Sequence, residues 1–417
     1  MKRYDEYKDT GIDWLPKLPS HWKLEQLRKY IRLVSKKGYP EKQLLSVTRE
    51  LGVIIRDTES KEENHNFIPD DLSGYKYVKE GQFVINKMKS WQGSYGVSAY
   101  EGIVSPAYYV CDLDFPNKDF FGWAIRSRNY VSFFAQYSKG IRVGQWDLSP
   151  VALKSIPFFE PPLAEQEKIV RFLEDKTSKI DALLEKKGEQ IKLLNELKES
   201  EIANIITRGL NPDVKMKDSG IPWIGMIPEH WEIKKISSLF KERREKVSDK
   251  VFQALSVSKQ GITLQLETAV KTDKGDNRKK VCVGDFVVNS RSDRKGSCGI
   301  SPFDGSVSLI NIVLQPRNFI EGKFFHYLFR SNNYIEEYYR LGRGIVADLW
   351  TTRYSEMKNI LVPLPPLEEQ RAIVKCIEDK CKNSLISELE AEIEQLKEYK
   401  QKLIADCVTG QIDVRNM

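Results

Sequence analysis

The sequence is poor in cysteine and histidine and has no long apolar run. Its 417 residues include six cysteines and four histidines, and no two cysteines form a CxxC pair. Neither a zinc site nor a disulfide framework is therefore expected. The longest stretches without a charged residue, such as 90–100 and 305–316, are shorter than the ~18 apolar residues of a membrane helix. The first residues lack the apolar core of a secretory signal, so we expect a cytoplasmic protein.

Motifs of several enzyme classes are also missing. No GxxxxGK[ST] phosphate loop occurs, which argues against an ATP-driven motor. A methyltransferase acting on base amino groups would carry an Asn/Asp-Pro-Pro-aromatic motif and a Gly-rich cofactor turn, and neither occurs. His21 and His230 each precede a tryptophan, and we expect them to be structural rather than catalytic. Ser46 and Ser256 lie in LSV runs without an adjacent base, which disfavours a nucleophile.

The composition that is present indicates a globular protein of more than one domain. Apolar residues make up 41% and charged residues 30% of the chain, and the length predicts two to three domains. Lysine and arginine number 66 against 59 acidic residues, a formal net charge of +7. This balance permits a polyanionic partner such as nucleic acid without requiring one.

The sequence contains a long internal repeat. Residues 8–22, KDTGIDWLPKLPSHW, match residues 217–231, KDSGIPWIGMIPEHW, at an offset of 209. Further blocks follow in the same order: LLSV at 44–47 and ALSV at 254–257, GQFVIN at 81–86 and GDFVVN at 284–289, GSYGVSAYEGIVS at 93–105 and GSCGISPFDGSVS at 296–308, IRSRNY at 125–130 and FRSNNY at 329–334, and PPLAEQEKIVRFLEDK at 161–176 and PPLEEQRAIVKCIEDK at 365–380. The repeat predicts two homologous modules.

Each copy contains a globular part followed by a long helix. Short β-type runs between Gly-rich turns, with an aromatic-rich helix near 120–137 and 324–339, predict an α+β module of about 150 residues. The helical parts open at Pro-Pro-Leu and run without proline through 165–207 and 368–409. Apolar residues recur there at spacings of three, four and seven: Ile169, Leu173, Ile180, Leu183, Ile191 and Leu194, and Ile373, Ile377, Leu385, Leu389, Leu396, Tyr399 and Leu403.

These stripes favour a coiled coil, because an isolated helix would leave its stripe in water. A globular module separates the two helices along the chain, so we expect them to pack antiparallel; the alternative is that each helix lies on its own module. The fold class predicted is α+β, with two tandem homologous α/β-mixed recognition modules separated by two long antiparallel coiled-coil helices in a pseudo-twofold arrangement. The predicted bounds are 1–162 and 210–364 for the modules, 163–209 for the first helix, and 365–417 for the second helix and tail.

Three pairs of corresponding loops carry the residue types that bind DNA. Arginine and lysine recognise guanine, asparagine and glutamine recognise adenine, and basic and hydroxyl side chains hold phosphates. The loops follow the LSV run, follow the GQFVIN or GDFVVN run, and precede Trp146 or Trp350, two tryptophans expected to be packing residues. The alternative for each loop is an ordinary surface turn. The candidate DNA-binding residues are Thr48, Arg49, Lys87, Lys89, Gln92, Tyr95, Arg142, Gln145, Ser258, Lys259, Gln260, Arg291, Ser292, Arg294, Lys295 and Arg343.

Three motifs carry a resemblance to a known family. TRGLNPDVKMKDSGIPWIGMIPEHW at 207–231, the two PPLxEQ helix openings and ADCVTGQIDVR at 405–415 resemble the specificity subunit of type I restriction–modification systems. The resemblance covers the whole chain, in the family's order of head, helix, linker, head and helix. Departures are small: Asp13 and Pro16 stand where the second copy has Pro222 and Gly225.

The resemblance implies a non-catalytic DNA-binding subunit with two target recognition domains. Each domain would read one half of a bipartite asymmetric site in double-stranded DNA, and the paired helices would set the spacer. Two modification subunits would dock on the chain, at its PxHW segments or helix surfaces, and perform adenine-N6 methylation with a flipped base. Restriction subunits would supply translocation and cleavage. S-adenosylmethionine, ATP and magnesium are expected on these partners, and none of them on this chain.

Three other functions remain open from the residues alone. A free-standing or orphan sequence-specific DNA-binding protein would need no methyltransferase partner. An enzyme would need a catalytic motif that does not occur in the sequence. A coiled-coil scaffold for proteins would not bind DNA even at low salt. The basic, amide-rich loops disfavour this scaffold function.

Overall fold

The computed structural model describes residues 2–12, 15–57, 68–140, 146–265, 276–344, 350–381 and 385–416. The chain divides into two compact units, a first unit of Met1–Gly188 with Leu389–Met417 and a second unit of Glu189–Glu388. Within the described residues, no helix is both long enough and apolar enough to cross a membrane.

Ten α-helices are described, and they alternate with many short strands. They are α1 (Lys118–Ile125), α2 (Arg128–Tyr137), α3 (Pro150–Ser155), α4 (Leu163–Arg208), α5 (Ile236–Leu239), α6 (Gly322–Arg330), α7 (Asn332–Arg340), α8 (Tyr354–Met357), α9 (Leu367–Cys381) and α10 (Leu385–Val408). The mixture of helices and strands and the long α4 confirm the predicted α+β class.

The aromatic-rich segment of each unit forms two helices where the sequence predicts one. Ser127 precedes α2 and Ser331 precedes α7, both with extended backbone, and the Ser331 side chain accepts a hydrogen bond from the Tyr334 amide. Serine favours this N-cap position because its oxygen satisfies an amide that lacks a helical partner. The break turns the second helix of each pair onto the core, which buries Tyr130 in the first unit and Tyr334 in the second.

The first unit is built on a four-stranded antiparallel sheet. Its strand order is Ile31–Val34, Tyr109–Leu113, Phe83–Ile85 and Tyr95–Val97. The other strands of this unit pair in twos, and they are Tyr7–Asp9, Lys17–Pro19, Lys23–Gln26, Leu45–Thr48, Gly52–Ile55, Lys76–Val78, Gly102–Val104 and Pro157–Glu160.

The second unit repeats this sheet with the matched segments of the sequence. Its strand order is Phe240–Glu242, Asn311–Pro316, Phe286–Asn289 and Cys298–Ile300. The remaining strands are Met216–Asp218, Met226–Pro228, Glu232–Lys235, Lys246–Val247, Leu255–Ser258, Gly261–Leu264, Arg278–Val281, Gly305–Val307 and Leu361–Leu364.

An aromatic core lies between the sheet and the helices in each unit. Phe83, Phe121 and Phe158 are fully buried and in ring contact in the first unit. Phe286 and Phe329 are in ring contact in the second unit, with ring centroids 5.0 Å apart. A fully buried aromatic side chain stabilises a fold by about 1.5–3 kcal/mol relative to an exposed one, so these rings hold the sheet on the helices.

The PPLxEQ motif is explained by the start of each long helix. In the first unit Gln166 donates a hydrogen bond of 2.7 Å to the Pro161 carbonyl, and Glu165 accepts from His21 at 2.9 Å and from the Trp22 indole at 3.1 Å. The motif therefore ties the PxHW segment to the first turn of α4.

The second unit repeats this arrangement at α9. Gln370 donates to the Pro365 carbonyl at 2.8 Å, and Glu369 lies 2.8 Å from His230. A carboxylate in the first turn of a helix also favours the positive end of the helix dipole. Both histidines are bound to structural carboxylates, as expected from the sequence.

The long helices pair antiparallel inside the first unit. Asp181 of α4 binds Lys400 of α10, and Lys187 of α4 binds Glu392 of α10. Residue numbers rise along one helix as they fall along the other, which confirms the antiparallel pairing for this unit. Helices α9 and α10 flank residues 382–384, which lie outside the described residues.

The apolar stripe on these helices differs from the predicted one by a single residue at three places. Leu183, Leu385 and Tyr399 are exposed, whereas their neighbours Leu184, Ile386 and Lys400 are half-buried. Ile180 is buried and Leu184, Lys187, Ile191 and Leu194 are half-buried, and these five positions alternate at spacings of four and three. This alternation is the predicted heptad-type pattern, but Lys187 and Lys400 occupy stripe positions that the prediction did not include.

Segments near the two ends of the chain lie against each other in the first unit. The Asp413 amide donates to the Lys2 carbonyl at 2.9 Å, and the Tyr7 hydroxyl donates to the Gly410 carbonyl at 3.0 Å. The Arg415 guanidinium lies 4.9 Å from the Tyr4 ring centroid and is held by the Asp413 carboxylate. These contacts explain the role of the ADCVTGQIDVR motif in packing.

Candidate DNA interface

Two of the predicted loops meet in the first unit. Lys87, which follows the strand Phe83–Ile85, donates a hydrogen bond of 2.9 Å to Asp147, and its carbonyl accepts from the Leu148 amide. This bond raises the pKa of Lys87 above its ordinary value. The rings of Trp91 and Trp146 lie 5.3 Å apart, so aromatic contact adds to the polar one.

The corresponding loops also meet in the second unit, through backbone bonds. The Ser292 amide donates to the Trp350 carbonyl at 2.9 Å, and the Thr352 amide donates to the Ser290 carbonyl at 2.9 Å. Arg343 pairs with Thr351 through both backbone groups. Loops that are about 60 residues apart in sequence therefore form one surface in each unit.

The third pair of loops forms the tips of two β-hairpins, which we call the tip hairpins. The first tip hairpin pairs Leu45–Thr48 with Gly52–Ile55, and the second pairs Leu255–Ser258 with Gly261–Leu264. Thr48 and Ser258 close the turns, since each hydroxyl donates to the carbonyl across the hairpin and accepts an amide of the turn. Arg49, Lys259 and Gln260 are exposed at the tips.

The remaining predicted residues divide by what their side chains contact. Within the described residues, Lys89 and Gln92 have no side-chain hydrogen bond. Arg291 and Arg294 both lie against Asp293, at 3.0 and 3.8 Å, and the Lys295 ammonium lies 3.0 Å from Glu336. Exposed ion pairs of this kind contribute about 0–1 kcal/mol, so a phosphate can replace the acidic partner at little cost.

Three predicted residues do not belong to the described surface. Tyr95 is fully buried, with its ring stacked 3.9 Å from Phe134, and burial raises the pKa of its hydroxyl. The prediction for Tyr95 is wrong on this point, because a residue in the first strand position after the loop faces the core. Arg142 and Gln145 lie outside the described residues.

A cleft of about 880 Å³ adjoins the loops of the second unit. Ser292, Asp293, Lys295 and Trp350 line it together with Glu336 and Arg340 of α7. Trp350, expected to be a packing residue, is 39% exposed here, so its indole faces a space next to the candidate DNA-binding loop. An exposed aromatic ring beside basic side chains suits contact with a base or sugar.

The sequence analysis missed Arg126 and Arg330. Arg126 follows α1 and donates to the Tyr95, Arg49 and Glu50 carbonyls at 2.7, 3.0 and 2.6 Å. Arg330, at the end of α6, donates to the Cys298 and Lys259 carbonyls. The signal for both was in the repeat, because each arginine precedes serine in the matched blocks IRSRNY and FRSNNY.

The described residues contain no group of histidine, cysteine and acidic side chains that could hold a metal ion. The buried thiols of Cys111, Cys298 and Cys407 lie in apolar surroundings, and burial raises the pKa of each to about 12. Such thiols are poor nucleophiles at neutral pH, since the thiolate is the reactive form.

Comparison with known proteins shows which proteins this chain is similar to. Residues 228–395 match the family model of the type I restriction modification DNA specificity domain. The chain is 25% identical over 455 aligned residues to a protein of Methanocaldococcus jannaschii provisionally named the type I restriction enzyme MjaX specificity subunit, and the alignment covers 99% of this chain and 97% of that protein.

A second relative and a solved structure agree with this match. The type I restriction enzyme MjaVIII specificity subunit of the same organism is 27% identical over 308 residues, which covers 69% of this chain and 68% of the relative. A chain from a structural study of complex assembly and conformational transition of the type I R-M system has a TM-score of 0.63 at 15% identity, over 95% of this chain and all of that one. The resemblance of the whole chain to type I specificity subunits is therefore confirmed, and its part at 228–395 matches the DNA specificity domain of that family.

Proposed function

We propose that this chain selects the DNA sequence on which a type I restriction–modification complex acts. The first unit reads one half of a bipartite, asymmetric site, and the second unit reads the other half. The bases are recognised by the loop surfaces described above, and the paired helices set the number of base pairs between the halves.

One observation carries this proposal: the same scaffold presents different side chains in the two units. In both units the same two loops are in contact. However, the loop after Phe83–Ile85 in the first unit offers Lys89 and Gln92, whereas the loop after Phe286–Asn289 in the second unit offers Arg291, Arg294 and Lys295. Arginine, lysine and glutamine distinguish bases by their hydrogen bonds in the major groove. Two copies of one fold with different loop chemistry suit two different half-sites.

The chain itself is proposed to be non-catalytic. His21 and His230, one in each unit, bind Glu165 and Glu369 at the starts of the long helices, where they hold the PxHW segments in place. Methyl transfer with S-adenosylmethionine, and the reactions that use ATP and magnesium, are proposed to take place on the modification and restriction subunits. The site of action is proposed to be the cytoplasm.

The long helices are proposed to dock the modification subunits. Leu193 and Leu197 of α4 lie one turn apart on one face and are 62% and 57% exposed. Two leucines spaced by four residues form a continuous apolar patch on a helix, which a partner helix would cover. The alternative, a free-standing DNA-binding protein, would leave this patch in water.

The proposal is tested by changing the loops of one unit at a time in the complex with the modification subunit. Arg294→Ala with Arg291→Ala should relax the methylated motif in one half only, and Lys89→Ala with Gln92→Ala should relax the other half. Each lost base contact reduces discrimination by about 1–3 kcal/mol, so about tenfold or more noncognate methylation is expected in the affected half.

Matched controls lie at the opposite ends of the same sheets. Lys79 is exposed before the strand Phe83–Ile85, whereas the loop with Lys89 follows that strand. Arg317 is exposed after the strand Asn311–Pro316, at the end remote from the Arg294 loop. Lys79→Ala and Arg317→Ala should leave both halves of the motif unchanged. Equal relaxation of both halves by either loop variant would contradict the proposal.

A further inference from the structure

The first tip hairpin is fixed to its unit by one guanidinium. Arg126 donates to the Arg49 and Glu50 carbonyls of the tip and to the Tyr95 carbonyl of the central sheet. The acceptors therefore belong to two segments that are distant in sequence. The side chains of Arg49 and Glu50 are exposed, at 69% and 73%, so the backbone of the tip is held while its side chains face solvent.

Glycines allow the hairpin to approach the sheet this closely. A Cβ on Gly96 of the sheet would lie 3.4 Å from the Cα of Gly52 in the hairpin. Gly52 has a φ of +74°, which L side chains rarely adopt, and a Cβ there would lie 3.0 Å from Nη1 of Arg126. The two backbones and the guanidinium thus fill the space between hairpin and sheet.

The same device recurs in the second unit with different tip residues. Arg330 donates to the Lys259 carbonyl of the second tip and, at 2.8 Å, to the Cys298 carbonyl of the sheet. A Cβ on Gly299 would lie 3.3 Å from the Cα of Gly261, the counterpart of Gly52. The scaffold is repeated, whereas the tips read Arg49-Glu50-Leu51 and Lys259-Gln260.

We propose that Arg126 and Arg330 are positioning residues for DNA recognition, which hold the tip hairpins so that the tip side chains meet the bases or phosphates in a fixed geometry. This inference rests on the proposed function. A rigid loop loses less conformational entropy on binding and rejects a wrong partner more strongly than a mobile one, because it cannot adapt. Neither arginine touches the DNA in this account; each acts through the backbone carbonyls of its tip.

Lysine at these positions separates positioning from a general structural role. Lysine keeps the charge and most of the aliphatic stem, but its single ammonium cannot reproduce the planar fork that spans two segments. Arg126→Lys should therefore loosen the first tip while leaving the aromatic core packed. Arg128→Lys is the matched control, since Arg128 is two residues further on and exposed.

The experiment uses the full chain in complex with the modification subunit and has two measurements. Amide hydrogen exchange should become about tenfold faster at residues 49–52 in Arg126→Lys and at residues 259–261 in Arg330→Lys, with an unchanged melting temperature. Noncognate methylation should rise about tenfold in one half of the motif for Arg126→Lys and in the opposite half for Arg330→Lys. Arg128→Lys should change neither measurement.

Unchanged exchange at the tips overturns the inference, and so does loosened exchange with unchanged discrimination in both halves. If Arg126→Lys lacks a cooperative melting transition, Arg330→Lys tests the same type of contact in the second unit, where Arg330 donates to the Lys259 and Cys298 carbonyls. A wild-type complex that methylates no bipartite site would refute the proposed function instead. The exchange measurement needs no DNA, so it would still test whether Arg126 and Arg330 hold the tip hairpins.

Discussion

The ammonium of Lys400 lies between the two carboxylate oxygens of Asp181, at 2.6 and 2.7 Å, and this pair joins α10 to α4 in the first unit. Lys400 occupies a stripe position that an apolar residue would fill in a regular coiled coil. A second lysine in the stripe, Lys187, binds one carboxylate oxygen of Glu392. Polar residues at such positions fix the register of paired helices, because a shift would leave the lysines without partners.

Reversing one charge of this pair should weaken the helix pairing, and reversing both should restore it. Asp181→Lys is expected to lower the free energy of unfolding by about 1 kcal/mol, since two ammonium groups then face each other. Asp181→Lys combined with Lys400→Asp should recover most of that loss in denaturant titrations. A double variant that remains as unstable as the single one would show that the pair does not act as an ion pair.

The exposed leucines of α4 should be needed for assembly and not for folding. Leu193→Glu with Leu197→Glu is expected to abolish co-purification with the modification subunit, because two charges would enter an apolar contact. The melting temperature of the isolated chain should change little, since both side chains are exposed.

A matched control for assembly is Lys192→Glu, which changes the net charge by the same amount on the neighbouring, exposed position of α4. This variant should still assemble. Loss of the complex in both variants would assign the effect to charge rather than to the apolar patch.

The long helices show which structural features the sequence pattern predicts and which it does not. The Pro-Pro-Leu starts and the Gly209 and Gly410 ends place the helix bounds well, because proline and glycine act locally. The stripe was assigned one residue away at Leu183, Leu385 and Tyr399, because lysines 187 and 400 interrupt its apolar pattern. An inward lysine depends on an acidic partner on another helix, and a pattern along one helix does not contain that partner.

The ion pair between Arg243 and the buried Asp285 should stabilise the second unit's sheet. The guanidinium donates two hydrogen bonds, of 2.7 and 3.1 Å, to the carboxylate, which is 3% exposed. Arg243→Ala leaves a buried carboxylate without its main partner and is expected to lower the free energy of unfolding by about 3 kcal/mol.

The adjacent Arg244 provides the comparison for Arg243. Its pair with Glu242 is similar in distance, at 2.6 Å, but its own side chain is 77% exposed. Arg244→Ala should lower the free energy of unfolding by less than about 1 kcal/mol. Equal effects of the two substitutions on unfolding by guanidinium chloride would contradict the role assigned to burial.

His326 should make the second unit less stable as the pH falls from about 6.5 to 4. Burial, together with the nearby cations of Arg330 and Lys323, lowers the pKa of this histidine to about 4. Its Nδ1 accepts a hydrogen bond from the Ile300 amide, which requires the neutral ring. The unfolded chain binds a proton at higher pH than the folded one, so stability is complete above pH 6.5 and declines below it, by up to about 3 kcal/mol.

Thermal unfolding of wild type and His326→Gln across this pH range checks the histidine prediction. The glutamine variant should lose the part of the pH dependence that lies between pH 6.5 and 4, while the part caused by carboxylates below pH 4 remains. The corresponding residue of the first unit is Gly122, so that unit has no matching group. Identical pH profiles for the two proteins would exclude His326 as the source.

The candidate interface was predictable in part, for physical reasons. Loops with basic and amide residues in both copies were identified from the repeat, and the structure brings two of the three loop pairs together. The inward face of Tyr95 was not predicted, because alternation along a three-residue strand is too short to assign a face. The contacts of Arg126 were not predicted, because its acceptors are backbone carbonyls: the repeat marks the arginine, but no side chain marks what it binds.

The central claim, that this chain selects a bipartite DNA site for methylation, is tested most directly by mapping methylated adenines. The chain is co-expressed with its candidate modification subunit, and random DNA treated with the purified complex is read by single-molecule sequencing. Methylation is expected to depend on this chain and to occur at two different half-sites with a constant spacer. Absence of a complex and of methylation, with DNA still bound by the chain alone, would contradict the account and favour a free-standing DNA-binding protein.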